Sequence, residues 1–225
     1  MSESARLNKK LALALGISRR EADEYIAAGR VIVNDKTATL GSRVHATDKI
    51  KIDDKPLSLS NEYLYLAFHK PAGYVCSRRQ QGDTPTIYSL LPHKYHHLKP
   101  VGRLDKDSSG LLLLTNDGDF AHQMTHPKFQ KTKVYEVSLD RSLEPSHHQM
   151  INDHGVQLED GISRFSVEEM SRQTYRITMK EGRNRQIRRT FAALGYMVTK
   201  LHRIQFGTYY IDNLPSRAVD VIDIK

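Results

Sequence analysis

Tryptophan is absent from this 225-residue chain, and cysteine occurs once, at Cys76. A single cysteine excludes an internal disulfide framework and suits a reducing compartment. No apolar run approaches membrane-spanning length, and the N-terminus lacks the apolar segment of a secretory signal, so a cytoplasmic protein without membrane attachment is expected. Internal repeats and low-complexity tracts are also missing. Acidic residues are the minority: 34 Lys and Arg against 26 Asp and Glu give a formal net charge of +8. Such a balance points to a polyanion, either nucleic acid or an anionic membrane surface. Eleven histidines are present, but the adjacent pairs His96-His97 and His147-His148 have neither the i, i+4 spacing nor the cysteine neighbours of a zinc site. No metal is expected.

Two regions of different character follow one another. In the first, Leu7, Leu11, Ala14 and Leu15 recur at helical spacing up to Gly16. Ser18 and Glu21 form a capping box for a second helix that Gly29 closes. Short strands are expected at Val31–Val33 and Lys49–Ile52, giving an N-terminal domain over residues 1–52. Arg6, Lys9, Lys10, Arg19, Arg20 and Arg30 cluster around the helices, either as a solvated face or as a phosphate-binding one. Residues 53–61 are polar and turn-rich and read as a linker. A second domain, 62–225, opens with Leu64, Leu66 and Phe68 alternating as a half-buried strand that ends at Lys70-Pro71. Further strands are expected at Val134–Leu139, Ile162–Met170, Tyr175–Met179 and Met197–Ile204, and helices at Asp119–Thr125, Pro145–Asp153 and Arg185–Leu194. Strands outnumber helices without regular alternation, which predicts an α+β fold: a small α/β N-terminal domain, then a largely antiparallel or mixed sheet flanked by helices.

The most informative stretch runs from Gly102 to Asp119. A charged loop bearing Arg103, Asp105 and Asp107 leads into Leu111–Leu114, and Asn116-Asp117-Gly118 marks a turn at the far end. The apolar run is read as a strand buried on both faces, although its periodicity also allows a helical segment. Carboxylates at the mouth of a buried element are well held for catalysis, and a solvated turn explains the same pattern. Asp105 and Asp107 also suggest the paired carboxylates of a glycosidase, but nothing resembling a sugar-binding surface accompanies them.

Residues 181–189 hold four arginines within seven positions. On a helix from Arg185, the residues Ile187, Phe191 and Leu194 share an apolar face while Arg185 and Arg189 point away from it. Arg188 falls at the boundary, half-buried, where its charge calls for a carboxylate. Tyr135, Val137 and Leu139 share one face of a strand whose N-terminal end carries Lys131 and Lys133. A tyrosine so placed is ordinarily core, unless that face lines the same cleft as Asp105.

Residues 5–52 resemble the S4 RNA-binding module, through Arg6-Leu7-Asn8-Lys9, Gly16-Ile17-Ser18-Arg19-Arg20-Glu21-Ala22 and Ala28-Gly29-Arg30-Val31-Ile32-Val33-Asn34. The resemblance implies that Arg6, Arg19, Arg20 and Arg30 meet RNA phosphates. Nearly the whole chain resembles the pseudouridine synthases, in the ribosomal-RNA branch that carries an S4 module. The matching segments, in order, are Lys70-Pro71-Ala72-Gly73, Gly102-Arg103-Leu104-Asp105, Ser109-Gly110-Leu111-Leu112, Lys133-Val134-Tyr135, Gly182-Arg183-Asn184-Arg185-Gln186-Ile187-Arg188 and Leu201-His202-Arg203 with Gly207. By this resemblance Asp105 is the catalytic carboxylate, Arg188 the arginine that pairs with it and Tyr135 the ring on which the target base stacks. Leu201 packs beneath that pocket and Arg103 helps hold the nucleotide out of its helix.

The implied reaction turns uridine into pseudouridine, with base flipping and without a cofactor. Lys131, Lys133, Arg183 and Arg185 would grip flanking phosphates. The implied partner is ribosomal RNA or a pre-ribosomal particle, 23S in preference to 16S, met by a monomer. A catalytically silent S4-type assembly factor is the alternative, and the joint presence of Asp105, Tyr135 and Arg188 argues against it.

Overall fold

The computed structural model describes residues 4–57, 62–78 and 82–224 and divides into two compact units, Met1–Leu64 and Tyr65–Lys225. In the first, β1 (Ala5–Arg6) is followed by helices α1 (Leu7–Leu15) and α2 (Arg19–Ala27). Strands β2 (Val31–Val33), β3 (Lys36–Thr37), β4 (Arg43–Val44), β5 (Ile50–Ile52) and β6 (Lys55–Pro56) complete it. The capping box is formed: Ser18 Oγ accepts from Glu21 N–H at 3.1 Å, and Glu21 accepts from Ser18 N–H at 2.8 Å. Leu7, Leu11, Ala22, Ile26, Val31 and Ile50 close the small core. The sheet runs β3-β2-β5-β6.

Residues 53–56 are not linker. Asp53 and Asp54 both have positive φ and form the two-residue turn that returns β6 onto β5, as Asn34 and Asp35 do between β2 and β3. Turns of this hand match the twist of paired strands, and short acidic side chains tolerate them. Leu57 continues the pairing through its N–H to the Ile50 carbonyl, and residues 58–61 lie outside the described residues.

The second unit contains β7 (Tyr65–Lys70), β8 (Lys99–Val101), β9 (Ser109–Thr115), α3 (Gly118–Thr125), β10 (Lys133–Leu139), α4 (Pro145–Asp153), β11 (Val156–Leu158) and β12 (Gly161–Ser163). Then come β13 (Ser166–Ser171), β14 (Thr174–Met179), α5 (Gln186–Ala193), β15 (Val198–Phe206), β16 (Tyr209–Tyr210) and β17 (Val219–Val221). Its main sheet has the order β13-β14-β10-β15-β9-β7-β17, with β8 on β9 and β16 on β15. Only the β15–β9 pairing is parallel among the described strands, so the sheet is mixed, as expected. No helix among the described residues is long and apolar enough to cross a membrane.

Leu111–Leu114 form the strand and are fully buried. β9 has β7 along one edge, and β15 and β8 share the other. One face packs Leu111 and Leu113 against Phe120 and Met124 of α3. Burying a leucine stabilises by roughly 1.5–3 kcal/mol, so four in succession make β9 a stiff anchor for the loop before it. Gly110 has φ 110°, and a Cβ there would overlap the Arg203 backbone; only glycine lets β9 and β15 approach so closely.

Three expectations change. β7 is buried on both faces rather than half-buried: Tyr65 and Ala67 pack into the cluster that holds Phe120 and Met124, and Leu66 and Phe68 on the opposite face are fully covered as well. The strand expected over Ile162–Met170 is two, β12 and β13, broken at Arg164 and Phe165. The last helix begins at Gln186, with Arg185 outside it in the left-handed conformation, φ 46°.

Candidate active site

The loop from Leu104 to Ser108 is fixed by its backbone. Five consecutive carbonyls accept hydrogen bonds: Leu104 from Cys76 Sγ, Asp105 from Lys70 Nζ, Lys106 from Gly73 N–H, Asp107 from Arg188 Nη2 and Ser108 from Lys70 Nζ. The Lys70 contacts measure 3.0 Å to Asp105 and 2.6 Å to Ser108. Lys70 ends β7 and has no exposed surface. A buried ammonium is costly unless its protons are used, and here they hold the loop. Burial nevertheless pulls its pKa down to about 8. With the backbone held from behind, the Asp105 carboxylate needs no structural partner of its own. Its side chain is 30 % exposed and lines an open cleft.

That cleft, about 710 Å³, is lined by residues of the 102–108 loop, the β7–β8 connection, β10, β15, the 125–131 segment and the loop leading into α5. Asp105, Tyr135, Ile187, Leu201 and Arg203 meet in it. The register explains why. Tyr135 of β10 lies opposite Arg203 of β15, and Val137 opposite Leu201, so these side chains share one sheet face. Tyr135 and Leu201 are buried, at 8 % and 6 % exposure. Tyr135 is therefore both core and cleft wall.

The arginines divide their work differently from the expectation. Arg185 Nη1 lies 3.8 Å from Asp105 Oδ2 and 3.8 Å from Asp107 Oδ2. Arg188, expected to pair with Asp105, instead donates from Nη1 to the Val198 carbonyl at 2.9 Å and from Nη2 to the Asp107 carbonyl at 3.0 Å. The helical wheel misjudges the pair because Arg185 precedes the helix, and its left-handed backbone releases it from the helical direction. Arg188 sits half-buried as the wheel requires. It ties α5 to β15 and to the loop through carbonyls, and burial lowers its pKa. Arg183 bonds Asp160 Oδ1 at 3.1 Å and the Ile162 carbonyl at 2.8 Å, while Arg189 reaches Asp160 Oδ2 at 2.7 Å. These two bolt the approach to α5 onto the β11–β12 turn. The hydrogen bond from Arg189 holds the Asp160 carboxyl below its ordinary range.

Lys133 also lines the cleft and donates to the Lys131 and Lys180 carbonyls. Its pKa falls to about 8, chiefly through burial and then through nearby Arg203. Arg103 is exposed at the rim, and the Asp107 side chain is 61 % exposed. No group of three or more His, Cys, Asp or Glu side chains among the described residues could hold a metal ion.

A family model described as RNA pseudouridylate synthase matches residues 64–193, and an S4 domain model matches residues 5–50. The chain belongs to the RNA pseudouridylate synthase family. "Ribosomal large subunit pseudouridine synthase B" of Salmonella typhi is 39% identical to it, over 91% of this chain and 74% of that protein. The protein of the same name from Haemophilus influenzae is 35% identical, over 100% of this chain and 66% of that one. A solved structure titled "Crystal structure of pseudouridylate synthase" superposes with a TM-score of 0.69 at 31% identity, covering 97% of this chain and 96% of that one.

In the S4 domain of this pseudouridylate synthase, Arg6 and Arg20 are exposed, and Arg19 donates to Asn8 Oδ1 at 3.3 Å. Arg30 is engaged within its own domain: its Nε donates to Asp53 at 2.8 Å and its guanidinium lies 4.1 Å from the Tyr25 ring centre. Two residues of the synthase domain, Arg203 in the cleft wall and Lys70 buried behind the loop, stand in the matching segments without a role assigned from sequence. The available signals were a lysine closing an apolar strand, and an arginine in alternation with Leu201 on a core-facing edge.

Proposed function

We propose that this synthase isomerises a uridine of large-subunit ribosomal RNA to pseudouridine in the cytoplasm, with Asp105 as the catalytic carboxylate. The observation that carries this reading is the clamped 104–108 backbone, which leaves one carboxylate directed to a cleft whose wall includes Tyr135. The reaction breaks N1–C1′, turns the uracil and joins C5 to C1′, so it needs no outside oxidant, metal or energy source. A target inside an RNA helix must first be flipped out, and Tyr135 then offers a flat face for its base. Arg185 Nη1, 3.8 Å from Asp105 Oδ2, stands where it can orient that carboxylate. Exposed arginines at the rim and on the S4 domain supply phosphate contacts, which position RNA without choosing sequence. The relatives' printed names support the large subunit, in line with the preference for 23S over 16S.

The test pairs chemical mapping of pseudouridine in rRNA, from cells with and without the protein, with an Asp105→Asn variant. One 23S uridine should lose its modification without the protein. The variant should fold and bind RNA as wild type does and fail to restore that site. Turnover by Asp105→Asn would remove Asp105 from the mechanism, and an unchanged map would remove the rRNA assignment.

A further inference from the structure

Arg203 is 2 % exposed and spends one hydrogen bond, from Nε to the Leu111 carbonyl at 2.8 Å. Its Nη2 is buried without any hydrogen-bond partner. Among the described residues no carboxylate stands within ion-pairing distance of it. Two further cations stand near it, since its presence lowers the pKa of both Lys70 and Lys133. The Phe206 ring lies 4.7 Å from its Cζ. An arginine cannot relieve burial by losing its proton. A buried guanidinium with a spare donor is costly to leave unpaired, and this one lines the cleft.

We propose that Arg203 contacts a carbonyl oxygen of the uracil ring throughout its detachment and reattachment. The proposal rests on the function argued above. Arg203 lies directly across the strand pair from Tyr135 and two residues beyond Leu201 on the same face. A ring lying on Tyr135 thus presents its edge to the cross-strand neighbour.

The chemistry fits a fixed donor at that edge. When N1–C1′ breaks, its electron pair stays on the ring, and the charge spreads over N1 and the two carbonyl oxygens. A half-turn about the N3–C6 axis exchanges N1 with C5, and by the same rotation exchanges O2 with O4. C5 then supplies the pair for the new bond to C1′, loses its proton, and N1 takes one up, so composition is unchanged. A donor beside one ring carbonyl therefore finds a carbonyl there before and after the turn, and a cation there stabilises the charge in between. A phosphate is a poorer occupant, because exposed cations stand at the rim while Arg203 is at the buried wall.

Arg203→Met and Arg203→Lys in the full chain, assayed on rRNA, test the assignment. Removing one donor aimed at developing charge typically costs about 10²–10³-fold in kcat. We expect a loss of at least about 10²-fold for Arg203→Met and about tenfold for Arg203→Lys, with RNA affinity within about twofold of wild type. A folded Arg203→Met with kcat within about threefold of wild type would overturn the proposal. So would weakened RNA binding with a salt slope flattened by about one, the mark of a phosphate contact. Should Arg203→Met not melt cooperatively, Arg203→Lys decides on the same readings.

Thionation of the target separates contact from structural support. Sulfur accepts hydrogen bonds weakly, so 2-thiouridine and 4-thiouridine should each slow the wild type and slow Arg203→Met no further. Losses that multiply independently would reject the contact. A wild type that modifies no rRNA uridine would instead sink the function itself, and that is read without any variant.

Discussion

Lys70 Nζ lies 3.0 Å from the Asp105 carbonyl oxygen, so the residue proposed for catalysis is positioned through its main chain by a buried cation 35 residues earlier in the chain. Lys70→Met removes that hold. Its stability effect is small, because two terms oppose: carbonyls left without a donor cost about 1–3 kcal/mol each, while an incompletely compensated buried charge disappears. Melting should place the variant within about 2 kcal/mol of wild type. Turnover should fall at least tenfold, since a displacement near 1 Å costs about 10²-fold, and RNA affinity should hold. Wild-type kcat in a folded Lys70→Met would show that the loop keeps its shape unaided.

The same lysine sets a pH dependence of unusual sign. Unfolded, Lys70 titrates near its ordinary 10.5; folded, burial brings it to about 8. Between those values the unfolded chain carries more protons, so stability rises with pH across that window and is indifferent to this group outside it. The displacement corresponds to on the order of 3 kcal/mol. Lys133 has the same sign and a similar value, so the quantity to measure is wild type minus Lys70→Met in urea melts from pH 7.5 to 10.5. That difference should grow with pH. A flat difference would mean that Lys70 keeps its ordinary pKa in the fold, and a falling one that the fold raises it.

The architecture is legible in the sequence where local chemistry and packing agree. The Ser18–Glu21 box, the Leu111–Leu114 strand and the Asn34–Asp35 turn follow from side-chain chemistry, hydrophobic run and turn propensity. Asp53–Asp54 has the same turn character but reads as linker, because strand β6 is two residues long and one is proline. The site is legible as a set of residues more than as a set of partners. Arg188 is half-buried as its place on the helix requires, yet its partners are carbonyls at 2.9 and 3.0 Å, which no side-chain pattern encodes. Arg185 gains its place beside Asp105 from one left-handed backbone angle. Lys70 and Arg203 stay hidden because a charge inside an apolar strand acquires meaning only from the strands beside it.

Arg185 and Arg188 should separate cleanly by mutation. Arg188 joins α5, β15 and the loop through two charge-assisted hydrogen bonds, each of a kind worth about 1.5–3 kcal/mol. Arg188→Met should lower stability by about 2 kcal/mol or more and lower kcat with it. Arg185 is 44 % exposed and only 3.8 Å from its carboxylates, a pair of the kind that contributes about 0–1 kcal/mol. Arg185→Met should melt within about 0.5 kcal/mol of wild type and show weaker RNA binding with a salt slope shallower by about one. Urea melts beside salt titrations check both, and the opposite pattern would assign the Asp105 pairing to Arg188 after all.

The S4 arginines should differ among themselves in a related way. Arg19 and Arg20 lie exposed in the first turn of α2, free of carboxylate ion pairs among the described residues, so their charge is available to phosphate. Arg19→Ala with Arg20→Ala should weaken binding equally for RNAs of different sequence and make the salt slope shallower by about one to two, while kcat at saturating RNA stays the same. Arg30 instead holds Asp53 and covers Tyr25, across the turn that joins β5 to β6. Arg30→Ala should therefore loosen the β5–β6 hairpin, seen as faster amide exchange at residues 50–56, and change the salt slope less than the Arg19/Arg20 pair does. A larger slope change for Arg30→Ala, with hairpin exchange unaltered, would make Arg30 the principal phosphate ligand and its bond to Asp53 dispensable.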